Sequence, residues 1–325
     1  MPHTPLRQMA KYLVLVTLVQ ITIHSDRTGS TGIGAEGVTS MTDSSSIRPI
    51  ADGIVTDLRG TLSYAGYLAL DELLGAQHPV SEPEHHDELL FIIQHQTTEL
   101  WLKQMLHELD SARDLLAADD LSEALKRVAR IKKIQEVITQ QWSVLATLTP
   151  SEYAEFRGVL GSSSGFQSAQ YRAVEFALGN RNRAMLAVFA DDPAAHALLT
   201  EQLQRPSLYD EVLRLMARRG LPVPIEVLER DVTEPYREHE GLIDVIESIY
   251  VDHRGNWELY ETCEELVDLE DNFQFWRFRH MRTVMRTIGF KTGTGGSSGV
   301  GFLQRALSLT FFPELYSVRT RIGAA

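Results

Sequence analysis

Two histidines carry most of the side-chain chemistry this sequence offers, and their helical neighbours limit what each can do. His280 lies in Asp271-Asn-Phe-Gln-Phe-Trp-Arg-Phe-Arg-His280-Met-Arg-Thr-Val-Met-Arg-Thr-Ile-Gly289. That run has no Pro and no internal Gly, so it reads as one helix stopped at Gly289. At 3.6 residues per turn, Phe273, Trp276, Val284 and Thr287 share the His280 face. An imidazole in such a stripe suits a ligand to a flat, apolar, metal-containing cofactor. Taken alone, a core histidine with a hydrogen-bond partner is the simpler explanation. His95 sits in Glu88-Leu-Leu-Phe91-Ile-Ile-Gln-His95-Gln-Thr-Thr-Glu99-Leu-Trp101, with Phe91, His95 and Glu99 four apart on one face. Its plain alternative is a polar residue at a helix edge, held by Glu99.

Two further groupings offer polar recognition. Tyr153 and Arg157 are four apart in a helix begun by Thr149-Pro150-Ser-Glu152, a capping box with Pro at the first helical position. An arginine fork there suits a bidentate pair with a carboxylate, the tyrosine hydroxyl orienting it. Alone, pairing of Arg157 with Glu152 or Glu155 is simpler. The following Leu160-Gly-Ser-Ser-Ser164-Gly165-Phe166-Gln167 either lets backbone approach a ligand or is a plain turn. After the His280 helix comes Gly293-Thr294-Gly-Gly296-Ser-Ser-Gly299-Val-Gly301. It lacks the Gly-Lys-Ser/Thr ending of a phosphate loop and follows a helix, so it reads as a lid. A carboxylate-bridged metal pair would need two Glu-x-x-His motifs, and only Glu82-Pro-Glu-His85 has the spacing.

The elements that must hold these groups are helices. Apolar 3-4 spacing runs through Tyr64 to Leu74, Glu84 to Ala118, Leu121 to Leu148, Ser168 to Leu178 and Ala184 to Phe189. It continues through Ala194 to Leu203, Ser207 to Arg219, Glu238 to Ile249, Asn256 to Ile288 and Phe302 to Leu309. No stretch alternates with period two for long enough to nominate a sheet. The expected fold is an all-α, single-domain helical bundle over residues 51–325, with long helices flanking a cofactor pocket.

The net charge of -13 argues against nucleic acid and anionic membranes as partners. Arg277, Arg279, Arg282 and Arg286 cluster among aromatics and upstream acids, so buried or intersubunit ion pairs are expected. Cys263, the only cysteine, excludes an intrachain disulfide, a Cys-based zinc site and covalent haem attachment, and fits a reducing cytoplasm. Tyr12 to Ile23 form an apolar run after Arg7 and Lys11, as in a signal peptide, with no small-x-small cleavage site following. The run is too short to span a bilayer as a helix. Residues 1–50 are expected to be an appended, mostly disordered extension, with Met41 an alternative start.

Together the motifs resemble the tryptophan 2,3-dioxygenase family, haem enzymes that open the indole ring. The matching residues are Phe91-Ile-Ile-Gln-His95-Gln with Glu99-Leu-Trp101, Gln141-Trp142-Ser, and Leu148-Thr-Pro-Ser-Glu-Tyr153 with Phe156-Arg157. Ser163-Ser-Gly-Phe-Gln167, Trp276-Arg-Phe-Arg-His280 and Gly293-Thr-Gly-Gly-Ser-Ser-Gly299 complete the set. They run in family order from about Leu58 to Val318 and leave only the N-terminal extension unexplained.

The resemblance implies one b-type haem per subunit, with His280 as proximal iron ligand and His95 on the distal side near the indole nitrogen. It implies that Phe91 lines the indole pocket, that Arg157 with Tyr153 holds the substrate carboxylate, and that Thr294 contacts the ammonium group. Ser164 and Gly165 would lie close to haem and dioxygen, and Trp142 would contact the haem. Tyr64, Tyr67 and Leu68 would reach a neighbouring subunit's pocket in a homotetramer. The implied reaction inserts both atoms of O2 across the indole C2–C3 bond of L-tryptophan, giving N-formyl-L-kynurenine in the cytoplasm. A single neutral imidazole ligand leaves one coordination position open for that chemistry. An indole N–H is very weakly acidic, which points His95 to hydrogen bonding and positioning. The alternatives are an indoleamine dioxygenase of broader specificity, a haem-based sensor and a helical bundle without cofactor. Arg157 and the lid favour strict tryptophan use, and no signalling domain is visible.

Overall fold

A computed structural model of the chain describes residues 51 and 53–323. The expected extension over 1–50, with its apolar run, lies outside the described residues. The chain divides into two units, one ending at Leu62 and the other beginning at Ser63. The described part of the first is turn and extended backbone, with Arg59 paired to Asp57 at 2.7 Å.

The described residues of the second unit form helices and turns and no strand, as the all-α expectation requires. In order these are α1 (Tyr64–Tyr67), α2 (Leu70–Leu74), α3 (His86–Ala117), α4 (Leu121–Leu145), α5 (Pro150–Arg157) and α6 (Ala169–Leu178). Then come α7 (Pro193–Gln204), α8 (Leu208–Arg218), α9 (Ile225–Leu228), α10 (Glu240–Val251), α11 (Trp257–Ile288), α12 (Val300–Ala306) and α13 (Pro313–Ser317). Local chemistry sets the ends. Asp120 caps α4 by accepting from the Glu123 N–H, and Thr149 and Glu152 form the reciprocal box at the start of α5. Gly289 ends α11 in the left-handed region, φ 62°.

Two sequence expectations change, and a third, buried or intersubunit pairing of the α11 arginines, is met within the chain by one of them. The helix from Tyr64 to Leu74 is broken at Ala69, which adopts φ 49°. Four residues with none buried have little to stabilise a continuous helix across that point. Residues 183–189, expected as part of the α-helical pattern, form a 3₁₀ helix. Of the four arginines on α11, Arg277 alone makes a buried ion pair, with Glu175 of α6 at 2.7 Å. Arg282 and Arg286 stand on the exposed face.

α3 and α4, joined by a three-residue turn, pack along their length through solvent-excluded side chains such as Met105, Leu109, Ile131 and Ile138. α11 packs on α4, α6 and α8 pack on α3, and α12 and α13 return against α11. α3 and α11 therefore both lie against α4 without packing closely on each other. Two buried carboxylates anchor the C-terminal segment. Glu270 accepts from the Phe312 N–H at 3.0 Å, and burial pushes its carboxyl up to about 7. Glu314 accepts from the hydroxyls of Tyr209 and Tyr236 at 2.9 and 2.7 Å and from the His239 N–H at 2.9 Å. Among the described residues no helix is long and apolar enough to cross a membrane.

Candidate active site

The space between α3 and α11 is where the two histidines meet. Each is only half-buried by surface area, yet protein surrounds both closely enough to disfavour the cation. Burial pushes His280 down to about 4, and a charge on His95 would push it further. Deep placement with residual open surface is the signature of side chains lining a cleft.

The α11 wall of the cleft is aromatic. His280 stacks on Trp142 of α4 with ring centroids 4.6 Å apart and planes at 7°. Trp276, one turn earlier on α11, lies 5.6 Å from His280 and 5.7 Å from Trp142. Tyr171 of α6 backs Trp276 at 5.4 Å. Arg277 holds this wall from behind, donating to Glu175 at 2.7 Å, to the Tyr171 hydroxyl at 3.3 Å and to the Ala306 carbonyl at 3.0 Å. Neither nitrogen of His280 has a hydrogen-bond partner among the described residues, and burial and His95 are the only influences on its charge. The indole N–H groups of Trp142 and Trp276 are likewise buried without acceptors.

The α3 wall is polar where it needs to be. His95 Nδ1 lies 2.7 Å from the Phe91 carbonyl oxygen, which can only accept, so Nδ1 carries the proton. Burial lowers the pKa of His95, so the ring is neutral and Nε2 is left as an acceptor. Glu99 does not hold the ring. It accepts from the Gln170 side chain at 3.0 Å and raises the imidazole's proton affinity only through its charge. Phe91 packs 4.2 Å from His95, 5.7 Å from Tyr153 and 5.8 Å from Phe156, so the N-terminal third of α3 and α5 share one aromatic cluster.

Two loops meet over α5. The Arg157 guanidinium donates to the Thr292 carbonyl, while its Nε is buried without a partner. Beside it, burial raises the Tyr153 hydroxyl and the arginine pulls the other way. The Thr294 hydroxyl donates to the Ser163 carbonyl. Gly293 closes its loop on itself, its N–H donating to the Ser297 carbonyl at 3.1 Å. A Cβ on Gly295 would lie 2.7 Å from the Cβ of Ser164, so only glycine permits this approach. The Ser164 hydroxyl accepts from the Phe166 N–H at 3.4 Å, and Gly165 stays exposed beside it. Arg157, Tyr153, Ser164 and Thr294 are thus brought together. Tyr64, Tyr67 and Leu68 are not: α1 has no buried residue, and Tyr64 and Tyr67 are 77% and 73% exposed.

A family model described as tryptophan 2,3-dioxygenase matches residues 51–322. The chain belongs to the tryptophan 2,3-dioxygenase family. Among its relatives is the tryptophan 2,3-dioxygenase of Kineococcus radiotolerans, 66% identical over 277 residues, covering 85% of this chain and 97% of the relative. The proteins of that name from Saccharopolyspora erythraea and Serratia proteamaculans are 64% and 59% identical, each over 85% of this chain and 98% and 99% of their own lengths.

Tryptophan 2,3-dioxygenases are haem-dependent, and the residues of this cleft fit that group. Among the described residues no cluster of three or more His, Cys, Asp or Glu is placed to hold a metal ion. An iron here would take one ligand from the chain and the rest from a macrocycle. His280 is neutral and unpartnered, as such a ligand must be. The aromatic wall suits a flat apolar ring. Each buried, unpaired indole N–H otherwise costs about 1–3 kcal/mol, and a haem carries carboxylates of the kind these donors lack.

Reading the sequence alone missed three supporting residues. Gln170, Tyr171 and Glu175 on α6 brace Glu99, Trp276 and Arg277. The signal available was a Tyr171–Glu175 pair at i,i+4 beside the apolar Ala173, Val174 and Phe176.

Proposed function

We propose that this chain is a haem-dependent dioxygenase that converts L-tryptophan and O2 to N-formyl-L-kynurenine. The observation that carries the reading is the pair of neutral histidines on α3 and α11, one with a fixed acceptor nitrogen and one with no partner. His280 holds the haem iron and Trp142 lies beside that ligand. Addition of both oxygen atoms across the indole C2–C3 bond is the haem's chemistry.

The chain's own residues bind, orient and exclude water. His95 Nε2 accepts from the indole N–H, which fixes the face of the ring presented for reaction. Nε2 of this neutral ring is basic, but an indole N–H is very weakly acidic and burial disfavours the imidazolium, so His95 positions the ring by accepting a hydrogen bond and does not take its proton. Phe91 covers the indole. Arg157 takes the substrate carboxylate through its free Nε edge, with Tyr153 orienting the pair. The lid carries Thr294 to the ammonium group and, seated on Ser163 and Ser164, shuts water from the cleft, with Gly165 beside it near haem and dioxygen.

The exposed side chains of Tyr64, Tyr67 and Leu68 are read as completing the pocket of a neighbouring subunit in a homotetramer, and the protein is read as cytoplasmic. Tyr67→Ala should then weaken tryptophan binding with haem content unchanged; unchanged binding would place α1 outside the site.

Turnover of L-tryptophan under isotopically labelled dioxygen tests the function. The expected product carries two labelled oxygens. A product with one labelled atom, or an unopened hydroxylated indole, would exclude this reaction.

A further inference from the structure

We infer that Trp142 is the positioning residue for the His280 ring, setting its plane by stacking where ligating histidines elsewhere rely on a hydrogen bond. The inference rests on the proposed role of His280 as haem ligand. A ligating imidazole has a broad torsion about its Cβ–Cγ bond. Its orientation is ordinarily fixed by the second ring nitrogen donating to a carboxylate, carbonyl or water. His95 shows that device here, with Nδ1 donating to the Phe91 carbonyl at 2.7 Å. No carboxylate, carbonyl or hydroxyl among the described residues does the same for His280.

What His280 has is a face. The Trp142 indole lies parallel to it within 7° at 4.6 Å, a separation at which rotation of the imidazole would lose overlap or drive an edge into the indole. Trp142 is 5% exposed and has little freedom to follow. It is held by Trp276 at 5.7 Å, itself backed by Tyr171 at 5.4 Å and Phe273 at 6.0 Å. The stack therefore has a rigid member, Trp142, wedged in a cluster drawn from α4, α6 and the preceding turns of α11, and a tuned member, the His280 ring.

The iron–histidine stretching band in the resonance Raman spectrum of the reduced holoenzyme reads the ligand's orientation independently of activity. The parent should give one narrow band, and so should Trp142→Phe, which keeps an aromatic face. Trp142→Leu removes the face and should broaden or split the band, with partial loss of haem on gel filtration. If the leucine variant does not fold, as judged by helical circular dichroism, Trp142→Met fills the volume without a π face and is read the same way. A leucine or methionine variant with the parent's band position and width would overturn the inference, as would a split band in the parent. A parent that binds no haem, or a His280→Ala variant that keeps the band, would instead remove the ligand assignment beneath it.

Discussion

The two walls of the cleft are built by different physics. On the α11 side His280, Trp142, Trp276 and Tyr171 meet ring to ring, one pair stacked and the rest tilted, and the hydrogen bonds lie one layer back, around Arg277. On the α3 side and the loops beside it, polar groups set the character: His95 is held by its Nδ1 with Nε2 left as an acceptor, the Nε of Arg157 is buried without a partner, and the Thr294 hydroxyl ties its loop to the Ser163 carbonyl. The first wall discriminates by shape and suits a large flat ring. The second discriminates by donors and acceptors and suits a small zwitterion. One cleft can so bind a resident cofactor and a changing substrate without the two competing for the same residues.

The sharpest way to break the comparison is to remove the single iron ligand assigned to the aromatic wall. His280→Ala should lose nearly all haem and all activity while helical circular dichroism is retained, because the ring contributes no hydrogen bond to the fold. Retained haem with the parent spectrum would place the ligand elsewhere.

Changes on the polar wall should spare haem and strike substrate. Arg157→Lys keeps the charge and loses the planar fork. A lost charge-assisted hydrogen bond costs about 2 kcal/mol, so apparent affinity for L-tryptophan should fall roughly thirtyfold. Tryptamine, lacking the carboxylate, should be a poor substrate of the parent. Equal turnover of tryptamine and tryptophan would remove the clamp from the account.

Smaller effects test the proposed lid and the proposed role of His95. Gly295→Ala places a Cβ against Ser164 and should unseat the lid, raising KM for tryptophan by about tenfold, equivalent to roughly 1.4 kcal/mol, with the haem spectrum unchanged. An unaltered KM would mean that the loop seats in another way. For His95, burial lowers the pKa, so the acceptor nitrogen stays unprotonated below the ordinary value of about 6.5. The rate at limiting tryptophan should be flat from about pH 6.5 to 8, its acid limb lying lower. Unfolding below the ordinary value takes up a proton, so this histidine reduces stability as pH falls from about 6.5 towards its lowered folded value and is silent above about 6.5. A limb centred on the ordinary value would show an exposed, titrating ring.

Much of this was legible in the sequence for reasons that are local. An uninterrupted run without Pro or Gly gave α11, and Thr149 with Glu152 marked the start of α5. The helical period correctly put Phe273 and Trp276 on the His280 side. What escaped notice depends on partners far apart in the chain or on atoms without sequence identity. Arg277 finds Glu175 only once α11 and α6 pack, whereas Arg282 and Arg286, alike in sequence, face outward. The acceptor for Arg157 is a backbone carbonyl at Thr292, which no side-chain pattern encodes. The break at Ala69 and the helices α9 and α13 are too short to leave a period.

Titration of the anaerobically reduced holoenzyme with L-tryptophan, followed by its absorption spectrum, tests the central claim most directly. The account predicts one haem per chain and a saturable change in the haem bands on adding L-tryptophan, strongly weakened in Arg157→Lys and absent with tryptamine at the same concentration. Purified protein with no haem band, or haem bands indifferent to L-tryptophan, would contradict a cleft whose two walls hold cofactor and substrate side by side.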